Sequence, residues 1–295
     1  MKAEEWLKPI LTERTPLYPV PTGIEPRLDQ IAGIKAVIFD VYGTLVVSGS
    51  GDVGSIDHTD RSAVIRRACD RLNISESVDG PISWQDLRSA IDQMNAERKS
   101  SNCVSPEIDV ISVWRELLDQ KGLQFSTPAI SQVVRLATYF EAWANPTWPM
   151  PAACDAVHQL SSRGFCLGIV SNAQIFTNLL VEDLEFSKKN GTSVFQSDLS
   201  FFSNRFRHSK PGPRLFDALS NALRRRNILP QEAVYVGNDM LNDVWAAKQI
   251  GIKTAWFVGD RRSARERSDD SRCAKLSPDL VITSLPQLLE CLTLK

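Results

Sequence analysis

The feature that most constrains this chain is Ala36-Val37-Ile38-Phe39-Asp40-Val41-Tyr42-Gly43-Thr44-Leu45, in which four apolar residues run straight into a carboxylate and a glycine turn. An apolar run of that length, bounded by turn residues, specifies a strand buried on both faces, as in a parallel sheet covered by helices on each side. Open sheets of this kind take their ligands outside the carboxyl ends of the strands, which is where the pattern delivers Asp40. An Asp in that position also serves simply to cap a turn, so its meaning depends on what accompanies it.

The same rhythm returns after residue 147. Strands are expected at Phe165–Val170, Phe201–Phe206, Ala233–Val236, Thr254–Val258 and Leu280–Ile282. Helices are expected at 152–163, 214–226, 241–250 and 288–290, and this alternation implies right-handed crossovers and a parallel sheet. From about 59 to 145 the apolar spacing switches to three and four, giving helices from Asp60, from a cap at Ser83, over 108–118 and over 130–143. The expected organisation is a core of residues 1–47 and 147–295 with a helical insertion at 48–146. Residues 1–33 are an N-terminal extension, spaced by Pro9, Pro16, Pro19, Pro21 and Pro26, that packs along the core surface. Ser48 to Gly54 has neither the Gly-Lys-Ser/Thr of a phosphate loop nor a dinucleotide fingerprint, and is expected to act as a hinge or flap.

Composition excludes several classes. A net charge of -1 over 295 residues argues against a polyanion binder, and the runs Arg224-Arg225-Arg226 and Arg261-Arg262 lack the interleaved aromatics of a base-stacking surface. The six cysteines, at 69, 103, 154, 166, 273 and 291, show no CxxC pair and no close His, which fits reduced thiols rather than zinc. With a charged N-terminus and no apolar segment near the ~18 residues of a membrane span, the expectation is a cytoplasmic monomer or homodimer acting on a small molecule, with no nucleic acid and no membrane.

Three strand ends carry polar residues in series: Asp40, then Ser171 and Asn172, then Asp239 with Asp243 just beyond, while Lys210 precedes the helix between the last two. A carboxylate can attack as a nucleophile, a hydroxyl with backbone amides can hold anionic oxygens, and a lysine can balance the charge that accumulates. Paired acids can hold Mg²⁺, a hard cation that takes few carboxylates. These are the parts of phosphoryl transfer, in which positioning and charge neutralisation supply most of the rate.

In order, Asp40-Val41-Tyr42-Gly43-Thr44-Leu45, Ser171-Asn172, Lys210-Pro211 and Gly237-Asn238-Asp239 with Asp243 resemble the four motifs of the haloacid dehalogenase (HAD) superfamily of hydrolases, over residues 36–260. The resemblance implies an α/β fold, a Rossmann-like three-layer parallel sheet with an inserted α-helical cap. It implies Asp40 as nucleophile, Ser171 and Lys210 as anion-holding groups, and Asp239 as a metal ligand. Tyr42, Thr44, Asn172 and Lys210 would face the substrate, and Asp40, the Tyr42 carbonyl, Asp239 and Asp243 would surround Mg²⁺. Phosphatases of the family carry a second aspartate two residues after the nucleophile, where this chain has Tyr42, and that tyrosine resembles the metal-free 2-haloacid dehalogenase branch. That branch has Ser-Ser-Asn ahead of the final aspartate and a tyrosine where this chain has Phe216. Three clustered acids need a cation, so the expectation is an Mg²⁺-dependent phosphatase acting on a small phosphate ester. The alternatives are a 2-haloacid dehalogenase, or a catalytically weak protein that binds a phosphorylated ligand.

The missing proton donor has three candidate replacements: Asp52 and His58 on or after the glycine-rich segment, and His208 beside Lys210. Arg61, Arg66 and Arg67 could grip an anion but are more simply exposed helix charges. Trp84, Trp114, Trp143 and Trp148 are expected to pack the helical insertion and its junction.

Overall fold

The computed structural model describes residues 3–50, 60–74, 80–100, 103–122, 129–183 and 193–294. Six parallel strands, β1 (Ala36–Phe39), β2 (Cys166–Ser171), β3 (Phe195–Phe202), β4 (Ala233–Gly237), β5 (Lys253–Phe257) and β6 (Leu280–Ile282), form one sheet in the order β3-β2-β1-β4-β5-β6. This is the order of doubly wound nucleotide-binding sheets, and the chain reverses direction across the sheet at β1. The crevice that reversal opens lies at the carboxyl end of β1, and Asp40 is the next residue.

Alternation along β1 explains the three layers. Val37 and Phe39 join one apolar cluster, with Ala156, Val157 and Leu160 of the helix Ala153–Ser162. Ala36 and Ile38 join another, with Leu215, Phe216 and Leu219 of the helix Arg214–Arg225. Side chains of period two thus feed both faces, and each fully buried Val, Ile, Leu or Phe among them contributes about 1.5–3 kcal/mol.

Four helices, α1 (Ser62–Arg71), α2 (Trp84–Arg98), α3 (Val110–Gln120) and α4 (Ala129–Ala144), make a separate block with its own apolar cluster around Trp114. Ser83 and Asp86 close a capping box at the start of α2, and Asp109 caps α3 by accepting from the Ile111 amide at 3.1 Å. The chain leaves and re-enters the core through an antiparallel ribbon, Val46–Ser48 against Thr147–Pro149. Three-residue strands of this kind give no periodic signal in the sequence.

Two further differences have local causes. Residues 201–206 are not a strand of their own: β3 begins earlier, at Phe195, and Ser203–Phe206 is a helical turn ended by Arg207 in a left-handed conformation. The helix expected over 241–250 opens as a wide π turn, Met240–Trp245, before Ala246–Gln249. The N-terminal extension does follow the core, pairing Arg27 with Val281 and Ile31–Ala32 with Leu292–Thr293, but it also reaches the helical block, where Trp6 and Leu7 pack. Among the described residues no helix is long and apolar enough to cross a membrane.

Candidate active site

Asp40 continues the β1 ladder, its amide donating to the Val236 carbonyl at 2.9 Å, before the chain turns at Gly43. Gly43 has φ +76°, and a Cβ there would lie 2.4 Å from the Ser263 Cβ, so no other residue fits. Thr44 is wholly buried and donates to the Asn238 side chain at 3.1 Å, locking the first motif to the fourth. The Tyr42 hydroxyl lies 2.9 Å from the Thr177 hydroxyl.

At the end of β2 the Ser171 hydroxyl donates to the Asn172 carbonyl at 3.0 Å, and Ser171 is almost fully buried. Asn172 holds Lys210 instead: its Oδ1 accepts from the Lys210 amide at 2.8 Å. The ammonium of Lys210 then reaches Asp40 Oδ1 at 2.9 Å, Asp243 Oδ1 at 2.6 Å and the Tyr235 hydroxyl at 3.0 Å. Burial by itself would depress this lysine, but Asp243 and Asp40 outweigh it and hold its pKa well above the ordinary value.

The fourth motif is equally committed. A Cβ on Gly237 would lie 2.4 Å from Asp243 Cγ, so the glycine makes room for that carboxylate. Asp243 Oδ2 accepts from the Asp239 amide at 2.9 Å. Burial raises Asp243 to about 7, with Lys210 pulling down and Asp40 and Asp239 pushing up. Asp239 caps the following turn through the Leu241 and Asn242 amides. It is also gripped by Arg267, whose Nη2 lies 2.6 Å from Oδ2 and whose Nε lies 3.2 Å from Oδ1.

Sequence reasoning missed Arg267. It sits at φ +54° on a segment laid alongside the fourth motif by Met240 N to Arg265 O and Arg265 N to Asn238 O, both 2.9 Å. Nothing in residue spacing announces that pairing; the signal available was an arginine-rich run just beyond a catalytic-looking strand.

Other candidates fall elsewhere. Asp52 and His58 lie outside the described residues. His208 turns to the block, with Nδ1 3.5 Å from Cys103 Sγ and its backbone bridged to Pro106. Arg66 and Arg67 are exposed, the latter 3.8 Å above the Trp143 ring, while Arg61 donates to the Ala144 carbonyl.

The cleft around Asp40 gathers Asp40, Asp239 and Asp243 against Lys210 and Arg267, three carboxylates to two cations. Asp40, Asp239 and the Tyr42 backbone carbonyl are hard oxygen donors of the type a divalent cation takes, although no three acidic, histidine or cysteine side chains among the described residues are grouped to hold one as they stand. Arg267 holds both oxygens of Asp239 and would have to give way to such a cation. Beside this cleft lies a cavity of about 390 Å³ between the helical block and the core; Asn172 lines both.

A reversal-point carboxylate paired to a buried lysine, on a Rossmann-like parallel sheet that carries a helical block, belongs here to a hydrolase. The chain belongs to the haloacid dehalogenase-like hydrolases, whose sequence profile matches residues 34–251. It is 39% identical over 149 residues to glyceraldehyde 3-phosphate phosphatase of Pyrococcus furiosus, spanning 48% of this chain and about half, 54%, of that one. It is 24% identical over 275 residues to phosphoglycolate phosphatase of Escherichia coli, covering 90% of this chain and 96% of that one. Among solved structures, a 2-haloacid dehalogenase of Pseudomonas syringae pv. Tomato has the same fold, with TM-score 0.57, 21% identity, and 88% of this chain and 97% of that one covered.

Proposed function

We propose that the chain is a phosphate-monoester hydrolase in which Asp40 is the nucleophile, the helical block at 48–146 is the cap, and the protein works in the cytoplasm. The carrying observation is the Asp40–Lys210 pair at the reversal point of the sheet, with the acids of the fourth motif beside it; six cysteines free of disulfides support a reducing compartment. A carboxylate oxygen of Asp40 attacks phosphorus, the ester P–O bond breaks with its electron pair going to the alcohol oxygen, and water then hydrolyses the aspartyl phosphate. Lys210 aims Asp40 through their 2.9 Å contact, and Asp243 with Tyr235 fixes Lys210. Mg²⁺, held by Asp40, Asp239 and the Tyr42 carbonyl, would neutralise phosphate charge when bound.

No carboxylate stands at position 42, and the tyrosine hydroxyl lies against that of Thr177, so that position supplies the leaving alcohol with no carboxylic acid as proton donor. Turnover should therefore depend steeply on leaving-group acidity, p-nitrophenyl phosphate far outpacing phenyl phosphate. A second reading, displacement of halide from a 2-haloacid, is favoured by Arg267, a tethered cation already seated on Asp239. The deciding assay is release of phosphate from p-nitrophenyl phosphate and of chloride from 2-chloropropionate, each with Mg²⁺ and with EDTA. EDTA-sensitive phosphate release, reduced on the order of 10⁶-fold by Asp40→Asn as loss of a nucleophile does, supports the phosphatase. Chloride release indifferent to EDTA supports the second reading and ends the first.

A further inference from the structure

We infer that Gln174 and Glu107 are positioning residues for Lys210: they tie residues 105–110 of the helical block to the two core segments that carry Asn172 and Lys210, and so set where the ammonium beside Asp40 stands. The inference rests on the proposed part of Asp40 and Lys210 in the reaction, and it adds two residues from outside the four motifs.

The stretch 103–109, on the way from α2 to α3, has neither helix nor strand, so its backbone groups must find partners elsewhere. Several find them on the core. The Ser105 carbonyl accepts from the Ser209 amide at 2.9 Å, and the Glu107 amide donates to the Arg207 carbonyl at 3.1 Å. The Ile108 carbonyl and the Val110 amide both go to the side chain of Gln174, at 3.0 and 3.1 Å. Val110 opens α3, so its amide is one of those a helix leaves over at its start, and here a core side chain supplies the acceptor.

Side chains complete the tie. Gln174 also donates to Glu107 Oε1 at 3.0 Å, and Glu107 Oε2 accepts from the Ser203 hydroxyl at 2.5 Å. That hydroxyl in turn accepts from the Ala173 amide at 2.8 Å, next in the chain to Asn172. Gln174 and Ser203 are both buried, so a partner removed here leaves a polar group unpaired, at a cost of about 1–3 kcal/mol.

Both ends of this network meet the Lys210 backbone. Asn172, one residue from Ala173, holds the Lys210 amide at 2.8 Å, and Ser209, one residue before Lys210, is held by Ser105. The irregular run from Arg207 to Lys210 thus draws on the block for its shape, as the loop of the block draws on the core. A lysine stem is long and flexible, so an ammonium aimed at Asp40 from one direction needs a backbone pinned in this way.

The test uses the whole protein in four variants: Gln174→Ala, Glu107→Ala, Glu107→Gln and, as a control for lost stability, Val133→Ala in the apolar cluster of the block. Amide hydrogen exchange is read residue by residue, and steady-state kinetics are taken on p-nitrophenyl phosphate. The decisive amide is that of Lys210, because its acceptor Asn172 is altered in none of them. In Gln174→Ala and Glu107→Ala it should exchange at least about tenfold faster relative to the amides of β1. In the same two variants kcat should fall on the order of 10- to 100-fold, as small misplacements of a reacting group do, while KM stays within about threefold. Glu107→Gln, which keeps one acceptor oxygen, should lie between wild type and Glu107→Ala in both readouts. Val133→Ala should lower Tm and move neither.

Lys210 exchange at the wild-type rate in Gln174→Ala, or raised equally in Val133→Ala, would overturn the inference. So would an effect confined to KM, which would set the two side chains against the substrate instead. Faster Lys210 exchange in the variants of a protein that releases phosphate from no ester, wild type included, would sink the phosphatase reading while the positioning of the lysine stands. EDTA-sensitive phosphate release by wild type, with Lys210 exchange and kcat unmoved in both alanine variants, would do the reverse.

Discussion

Lys210 and Arg267 each answer carboxylates of one cleft, yet the two pairings differ in almost every physical respect. The Lys210 side chain is 2% exposed and its partners Asp40 and Asp243 are 11% and 1% exposed, whereas Arg267 is 36% exposed over an Asp239 that is 6% exposed. Lys210 is held from several sides, by Asn172 at its backbone and by Tyr235 and two carboxylates at its ammonium. Arg267 reaches inward from a segment at the rim. A buried pair that loses one member leaves an uncompensated charge in a low dielectric, while a rim pair exchanges easily with water or another cation. The difference teaches that one cation is part of the frame, while the other is the more exposed and more replaceable partner of the acid proposed above as a metal ligand.

Lys210→Met should break the comparison most visibly. Stability falls by about 3–5 kcal/mol, read by denaturant unfolding, because Asp40 and Asp243 are left buried and unpaired. Adding Asp243→Asn should recover part of that loss, and a double variant no more stable than the single one would contradict the assigned frame role. Arg267→Gln should cost within about 1 kcal/mol by the same measurement. Its sharper signature is calorimetric: Mg²⁺ should bind roughly two- to five-fold more tightly once a competing pair of up to about 1 kcal/mol is gone. Unchanged or weaker Mg²⁺ affinity would show that Arg267 is no competitor.

The smallest expected effect concerns Glu107, which fastens the helical block to the core through Ser203 and Gln174. Burial raises its carboxyl from 4.5 to about 7, against the opposing pull of Ser203 and other neighbours. The folded chain thus binds more protons than the unfolded chain between those values, so Tm should decline as pH rises through that window and level off above it. Glu107→Gln should flatten this slope in thermal melts, leaving a residual contribution of the same sign from the raised Asp243 and Glu141.

Much of this was legible in the residues. Asp40, Lys210, Asp239 and Asp243 could be placed because each follows a buried apolar run or precedes an amphipathic helix, and the sheet topology brings such points together. Ser83 was legible as a helix start because capping chemistry is local. Thr44 and Ser171 were expected to face a substrate, but their hydroxyls are used within the frame, on Asn238 and on the Asn172 carbonyl. Arg267, Glu107 and Gln174 were invisible for a common reason. Each acquires its meaning from a contact made by a loop or by a block packed from far away in sequence, and no periodicity encodes such contacts. His208 shows the converse: adjacency to Lys210 suggested chemistry, whereas its side chain turns toward Cys103.

The N-terminal extension has a mechanical consequence. Trp6 and Leu7 are seated on the helical block, and some fifteen residues later Val20 and Thr22 are hydrogen-bonded to Asp260, Arg261 and Val258, at the root of the segment that presents Arg267. The block is joined covalently to the core only by the two ribbon strands, which by themselves would let it swing. With the extension in place the linkage is a closed four-bar frame rather than an open hinge. A rotation of the block away from the core would pull on a strap whose far end is anchored on residues 258–261, where the segment that carries Arg267 begins.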